Sequence, residues 1–464
     1  MNRVLSLLLI AVMLLEPSTV SRAAEVPGLT GEGETVLETG QTTDPEEVSE
    51  PSDSEEDSET SNPEEDADAG EPEQGEEPEE DPEPAQPGAS EDGVSGNDIG
   101  DETEENGTEE STEDLQAQEA DRTANAAEDF KIRGTTLVRY NGTDSKVVIP
   151  DGIVTIDNDA FSGNINIEYV KFPSSLRTVK SRAFEGCSRL ERVEMNEGLS
   201  EIKDGAFNDA GLRDPLTIPS SVIEIGVSAF ESCTRLEEVT FANGSEKELA
   251  IGEYAFRFCW DLEKVTLSDS VKVIPKEAFR EDESLEEVVF GKAITSISQD
   301  AFLKCSALKE ITCPASLTTI GDRAFSGCTE LRTAQLPEGL LSIGMEAFSG
   351  AGFGGKTQTQ ATEYGMLTIP STVTTIGERA FEKSPYLGEV TFASGSVSEL
   401  QLGKSVFQEC SGLKKVTLSD SIQVIPEYAF SSDALLEEVL FGNAVKTISR
   451  DAFLNCSALK EITC

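Results

Sequence analysis

The residues with the widest scope for chemistry are the cysteines. Seven of the nine stand three positions after a recurring phenylalanine: Cys187, Cys233, Cys259, Cys305, Cys328, Cys410 and Cys456. The other two, Cys313 and Cys464, close segments where neighbouring repeats carry Phe, Leu or Met. Thiols at regular spacing form disulfides, bind zinc or act as nucleophiles. The chain has no histidine, which removes Ser-His-Asp and Cys-His catalysis and every His-based metal site. No C-x-x-C pair occurs, so zinc is not expected. A disulfide between adjacent repeats, Cys233 with Cys259 for instance, is tested by the chain itself. Leu216–Cys313 aligns without a gap with Leu367–Cys464, and 60 of the 98 positions are identical. In that second copy Cys259 is matched by Cys410, but Cys233 is matched by Ser384. The pair is broken with no change in spacing, so small buried thiols at a tight turn are expected instead. No nucleophile motif or phosphate-binding loop stands out, and neither an enzyme nor a cofactor is expected.

Those cysteines ride on a regular scaffold. An Ala-Phe pair recurs at Phe161, Phe184, Phe207, Phe230, Phe256, Phe279, Phe302, Phe325, Phe348, Phe381, Phe407 (after Val406), Phe430 and Phe453. The steps are 23, 23, 23, 26, 23, 23, 23, 23, 33, 26, 23 and 23 residues. Fixed periods of roughly 20–29 residues belong to solenoids of the leucine-rich type. In "AFESCTRLEEVTF" (Ala229 to Phe241), Leu236, Val239 and Phe241 alternate as the inward residues of a strand. Upstream, "IPSSVIEIG" (Ile218 to Gly226) turns at Pro219 and supplies a second apolar stretch through Val222 and Ile225. Phe230 is placed to fill the space between the two sides, and Ala229 must be small where the chain bends. One coil cannot bury its own apolar face; stacked coils bury a continuous core. Thirteen coils at ~4.8 Å each give a rod on the order of 60 Å.

The pattern L-x-x-V-x-(L/F)-P-x-x-(V/L)-x-x-I-(G)-x-x-A-F-x-x-C resembles the BspA-type leucine-rich repeats of bacterial surface proteins, over residues 130–464. The resemblance implies a leucine-rich-repeat solenoid of short strands, turns and short helical segments. It also implies adhesion to host proteins, extracellular matrix or other microbes. The opening, "FKIRGTTLVRYNGTDSKVVIPDGIVTIDNDAF" (Phe130 to Phe161), looks like the start of such an array. Leu137 and Val138 are expected on a capping strand, with Asn141-Gly142 as its turn. The segment "GAGFGGKTQTQATEYGM" (Gly350 to Met366) carries a ten-residue insertion between the two copies and is expected to be an exposed, flexible loop. After Cys313 the first copy continues "PASLTTIGDRAFSGC"; nothing follows Cys464. Solenoid ends need a polar cap, so either the sequence is a fragment or its last coil is frayed or covered by a partner.

Ahead of the repeats the composition is different. Residues 1–24 read as a signal peptide: Arg3, the apolar run Leu5 to Leu15, then Ser21-Arg22-Ala23-Ala24. That run is short of the ~20 residues a spanning helix needs. Residues 25–129 hold 40 acidic residues against one basic residue, Arg122, and no aromatic. Such a segment cannot offset its ordering entropy by burial, so a disordered acidic stalk is expected. The formal net charge of −53 makes nucleic acid a poor partner.

The strand residues that flank the inward Val point away from the core and compose the candidate surface, the expected concave face. They are Tyr169, Lys171, Arg192, Glu194, Glu238, Thr240, Lys264, Thr266, Glu287, Glu310, Thr312, Glu389, Thr391, Lys415 and Thr417. Thr suits strands and charges discourage association, so these residues have a structural reading as well. The functional reading is a broad, polar, mildly acidic surface for an extended protein partner. Tyr169 is its one aromatic; Trp260, near a coil turn, is expected to pack locally. Two functions remain open: a secreted or cell-surface protein that binds other proteins, and a passive spacer or coat component.

Overall fold

The computed structural model describes residues 128–356, 362–396, 398–460 and 462. The expected signal peptide and acidic stalk lie outside the described residues. The recurring Ala-Phe unit makes one coil with three sides. The first side is a strand of three or four residues, such as Glu238–Phe241, Lys264–Thr266 and Glu287–Val289. The second is a strand of two residues, such as Glu224–Ile225 or Thr319–Ile320. The third is the turn that carries Ala, Phe and Cys.

Strands of successive coils pair in parallel and in register. In the first ladder Val239 faces Val265 and Val265 faces Val288; in the second Ile297 faces Ile320 and Ile320 faces Ile343. The inward residues Leu236, Val239 and Phe241 are fully buried, as are Val222 and Ile225. All repeat phenylalanines from Phe161 to Phe430 are buried, and they stack face to face. Ring centroids lie 5.0 Å apart for Phe184 and Phe207, 5.1 Å for Phe207 and Phe230, and 5.3 Å for Phe430 and Phe453. Ala229 and its counterparts are buried beneath this stack, and Val406 takes the same buried place in one coil.

The third side closes by a backbone device. Residues two before and two after Phe adopt left-handed backbone, for example Ser228 (φ 54) and Ser232 (φ 60), or Tyr254 (φ 62) and Phe258 (φ 63). This conformation is costly outside glycine. It is offset by hydrogen bonds to the next coil: Ser228 N–H donates to the Glu253 carbonyl (3.0 Å), Phe230 to Ala255 (2.8 Å) and Ser232 to Arg257 (2.8 Å). From Asp159 to Ser432 these turn amides donate forward, Tyr428 excepted. Beside the two-residue strands the direction reverses, with Lys180 N–H donating back to Ile156 (3.0 Å) and Lys203 back to Val179 (2.9 Å).

Two expectations are corrected. The capping strand exists as Thr136–Tyr140, but its hairpin partner precedes it, Phe130–Arg133, and the turn is Gly134-Thr135 rather than Asn141-Gly142. Gly134 (φ 63) supplies the left-handed residue that a tight reversal requires. Phe130 and Tyr140 then continue the aromatic stack onto Phe161. The insertion is not wholly a loop: Gly354–Lys356 pairs antiparallel with Thr362–Ile369, leading into the next coil. Phe353 is buried at its base. Tyr364 crosses Gly388, where an added Cβ would lie 2.6 Å from the Tyr364 Cβ. The first copy has Glu237 at that position, so the glycine accompanies the hairpin.

Candidate functional site

The predicted face exists, as columns that the parallel register holds in line. Tyr169 lies opposite Arg192 and Lys171 opposite Glu194. Glu238, Lys264, Glu287 and Glu310 follow one another on successive strands, with Thr240 beside Thr266. Glu389 and Lys415, and Thr391 and Thr417, repeat the arrangement. Lys171, Arg192, Glu287, Glu310 and Thr312 are exposed; the other predicted residues are half-buried by their column neighbours.

The columns do not form one uninterrupted ladder. The first-side strands fall into separate sheets, and one break lies between Arg192–Glu194 and Leu216–Ile218. Its cause is Pro215, which stands where other coils donate a ladder N–H and has none to give. The preceding bonds shift back by one residue, so Arg213 and Asp214 both donate to the Glu191 carbonyl. A recess of about 320 Å³ opens at the break between Arg192, Val193, Glu194, Met195, Pro215 and Thr217. A second, of about 420 Å³, adjoins it beside Lys146, Glu168, Tyr169, Arg192 and Asp214. The sequence reading missed Pro215, although its place directly before the inward Leu216 was the signal.

Here the side chains interlock. Arg192 lies 5.9 Å from the centre of the Tyr169 ring and 3.0 Å from the Glu194 carboxylate, and Lys171 is 3.5 Å from the same carboxylate. The Tyr169 hydroxyl, with Lys171 and Arg192, holds the Glu194 carboxyl below its usual range. Burial pushes the Tyr169 hydroxyl up, and Glu194 adds to the effect. Further along, Lys264 pairs with Glu287 (2.9 Å) and Lys415 with Glu438 (3.0 Å), which raises both ammonium groups. These groups can hold a polar or charged surface in fixed register.

Met366 was also missed. It pairs in register with Glu389, so it occupies an outward ladder position, and it is 69% exposed. It had been read as part of the insertion. Trp260 does not pack as expected but is 54% exposed.

The cysteines lie elsewhere, in a column behind the turn. All eight described ones are free thiols, and Cys187, Cys233, Cys259, Cys305, Cys313, Cys328 and Cys410 are buried. Each column thiol donates to the Phe carbonyl one coil back, as Cys305 does to Phe279 (3.0 Å) and Cys410 to Phe381 (3.0 Å). Ser384, the break in the presumed disulfide pattern, makes the same bond to Phe348 (3.4 Å). Burial pushes the Cys187 thiol up to about 12, which leaves it unreactive at neutral pH. Among the described residues no group of three or more Cys, Asp or Glu is placed to hold a metal, and no helix is long and apolar enough to cross a membrane.

Comparison with known proteins agrees with this architecture. No curated protein matches the sequence. A leucine-rich repeat protein from Bacteroides ovatus is 26% identical, with a TM-score of 0.50 over 71% of this chain and 78% of that one. A leucine rich cell surface protein from Faecalibacterium prausnitzii is 23% identical, with a TM-score of 0.38 over 72% and 92%. The T. pallidum Leucine Rich Repeat protein is 29% identical, with a TM-score of 0.36 over 44% and 89%. The model of the BspA type Leucine rich repeat region matches residues 140–248, 249–354 and 358–464, and the chain therefore belongs to that family.

Proposed function

We propose that this is an exported, surface-displayed protein that binds protein partners through the outward face of its first strand ladder. One observation carries the reading. Within each sheet the ladder backbone is paired coil to coil, so the face there offers only side chains, and these stand in fixed columns of Thr, Glu and Lys. A face of this kind suits many individually modest contacts with a large partner. The recesses beside Tyr169 and Arg192 give it a local focus with an aromatic and a guanidinium, the residue types that anchor protein interfaces. Residues 1–24 would direct export, and the acidic segment 25–129 would hold the repeats away from the surface that bears them.

The test is binding of the full chain to purified extracellular-matrix and bacterial surface proteins, in low and high salt. Saturable binding that survives salt and weakens by roughly tenfold or more in Tyr169→Ala/Arg192→Ala is expected. Binding unchanged by those substitutions and by charge reversal along the ladder would remove the face from consideration. A second reading, a passive spacer, is favoured by the block duplication, because added coils extend the rod without redesigning a site. A deletion strain with a thinner surface layer and undiminished adherence would support it.

A further inference from the structure

The two copies of the duplicated block have diverged, and the places where they have not are informative. Of their 98 aligned positions, 60 are identical. Nine positions flank the inward residue of the first ladder, and eight of these are identical; the ninth is Val289 against Leu440. The first copy has 22 other exposed positions, of which six are retained: Gly244, Glu248, Asp269, Val273, Glu286 and Lys309. Charge has reversed elsewhere on the surface, at Glu253 against Lys404, Glu263 against Lys414 and Lys276 against Glu427. On the ladder face no charge has changed.

Strand structure does not account for the difference. The second ladder is a parallel ladder of the same coils, and three of its four outward strand residues diverged: Glu224 against Thr375, Ala250 against Gln401, and Ser296 against Thr447, while Val273 matches Val424. Strand propensity would also accept Lys for Glu, or Val for Thr, on the first face. What has been kept is a particular order of charges and hydroxyls.

The open charge of each patch is negative. Lys264 is satisfied by Glu287 (2.9 Å) and Lys415 by Glu438 (3.0 Å). Among the described residues Glu238, Glu310 and Glu389 make no ion pair, so each patch turns free carboxylates outward beside Thr hydroxyls. The strand between the patches, Thr333–Gln335, is uncharged, and Met366 follows it on the same face. The two patches lie in different sheets, since Thr333–Gln335 and Thr362–Ile369 do not pair, and they are six strand positions apart, ~29 Å at ladder spacing.

We propose that the ladder face holds two equivalent sites, one at Glu238, Thr240, Lys264 and Thr266 and one at Glu389, Thr391, Lys415 and Thr417. Each takes the same basic segment of a protein partner that presents the segment twice, as a repetitive or oligomeric protein does. This rests on the reading of the face as a binding surface. Two sites engaged together gain affinity without any new contact, provided the partner can span them.

The probes are a short peptide of alternating Lys and Thr, and the same peptide in tandem through a flexible linker able to span ~29 Å. Both are titrated at physiological salt onto the full chain and its Glu238→Lys, Glu389→Lys and double variants. Binding common to all four proteins belongs to the acidic N-terminal segment and is subtracted. The proposal expects the single peptide to fill two equivalent sites, one lost in each single variant. The tandem peptide should bind the unaltered chain at least roughly tenfold more tightly than the single one, and either variant should abolish that gain equally. If one variant removes all specific binding and the other none, the face binds but bivalence is wrong. If the double variant binds both probes as the unaltered chain does, the face reading itself fails.

Discussion

Replacing Asp282 with asparagine should remove a pH dependence from the stability of the central coils. Asp282 occupies the column position held by Cys259 in the coil before and Cys305 in the coil after. It is fully buried, and its Oδ1 accepts the Cys259 N–H at 2.8 Å, while its Oδ2 has no hydrogen-bond partner. Burial holds the carboxyl well above its ordinary value, and the Cys259 amide only partly opposes this. A neutral acid can donate from Oδ2 at the register from which the thiols reach a Phe carbonyl. Because the folded value is raised, the folded state binds the proton that the unfolded chain releases. Stability is therefore greatest below the ordinary carboxylate range and falls by about 1.4 kcal/mol per pH unit above it, until the folded group itself titrates. Asparagine keeps an acceptor for Cys259 and a donor at the second atom, and it does not titrate. The assay is urea unfolding across mildly acidic to neutral pH, followed through Trp260, the one tryptophan of the chain and the neighbour of Cys259. The unaltered chain and Asp282→Asn should coincide at the acid end and separate as pH rises, with the variant more stable. Parallel curves at all pH values would mean that Asp282 is ionised when folded, and the reasoning would be wrong. Asp433, its counterpart in the second copy with the same contact to Cys410 (2.8 Å), should behave alike.

Other consequences follow from packing. Phe302→Ala, between Phe279 (5.3 Å) and Phe325 (5.2 Å), should cost about 3–5 kcal/mol and release amides of the flanking coils in hydrogen exchange. Loss of protection as far away as Phe184 would contradict nearest-neighbour stacking. Cys233→Ser should change stability by no more than about 1 kcal/mol, because Ser384 already makes the equivalent bond (3.4 Å). Without denaturant a bulky thiol reagent should leave the buried cysteines unmodified; prompt labelling of Cys233 would refute their enclosure. Tyr364→Ala removes a ring 4.4 Å from the Lys414 ammonium and should speed amide exchange where Gly354–Lys356 pairs with Thr362–Ile369, with exchange unchanged if the ring does not anchor the hairpin.

The period of the Phe marks made the coil legible, because a side chain stacked on its own copies must recur at the length of one turn. Inward Leu, Val and Ile followed from alternation, and the free thiols from the Cys233 and Ser384 mismatch. The face residues were legible because alternation also says which side chains point out. What escaped notice acts through the backbone. Pro215 is one residue in a repeat that otherwise conforms, yet the donor it lacks opens the ladder. Gly134-Thr135 was passed over for Asn141-Gly142, whose composition is the stronger turn signal; the register of Phe130 against Tyr140 decided the matter. The insertion read as a loop by composition, but Phe353 and Tyr364 had buried partners in coils distant in sequence.

The opposed directions of the amides bear on how long such a molecule can be. In an α-helix every N–H points the same way and the peptide dipoles add, leaving partial charge at both ends. Here the turn amides point forward, as from Phe184 to Ala206, while those beside the second ladder point back, as from Lys203 to Val179. Within each coil the two sets oppose, so adding coils adds little net dipole along the axis. Copying a block of coils therefore lengthens the protein without an electrostatic penalty that grows with length, and gene duplication meets no resistance from the backbone.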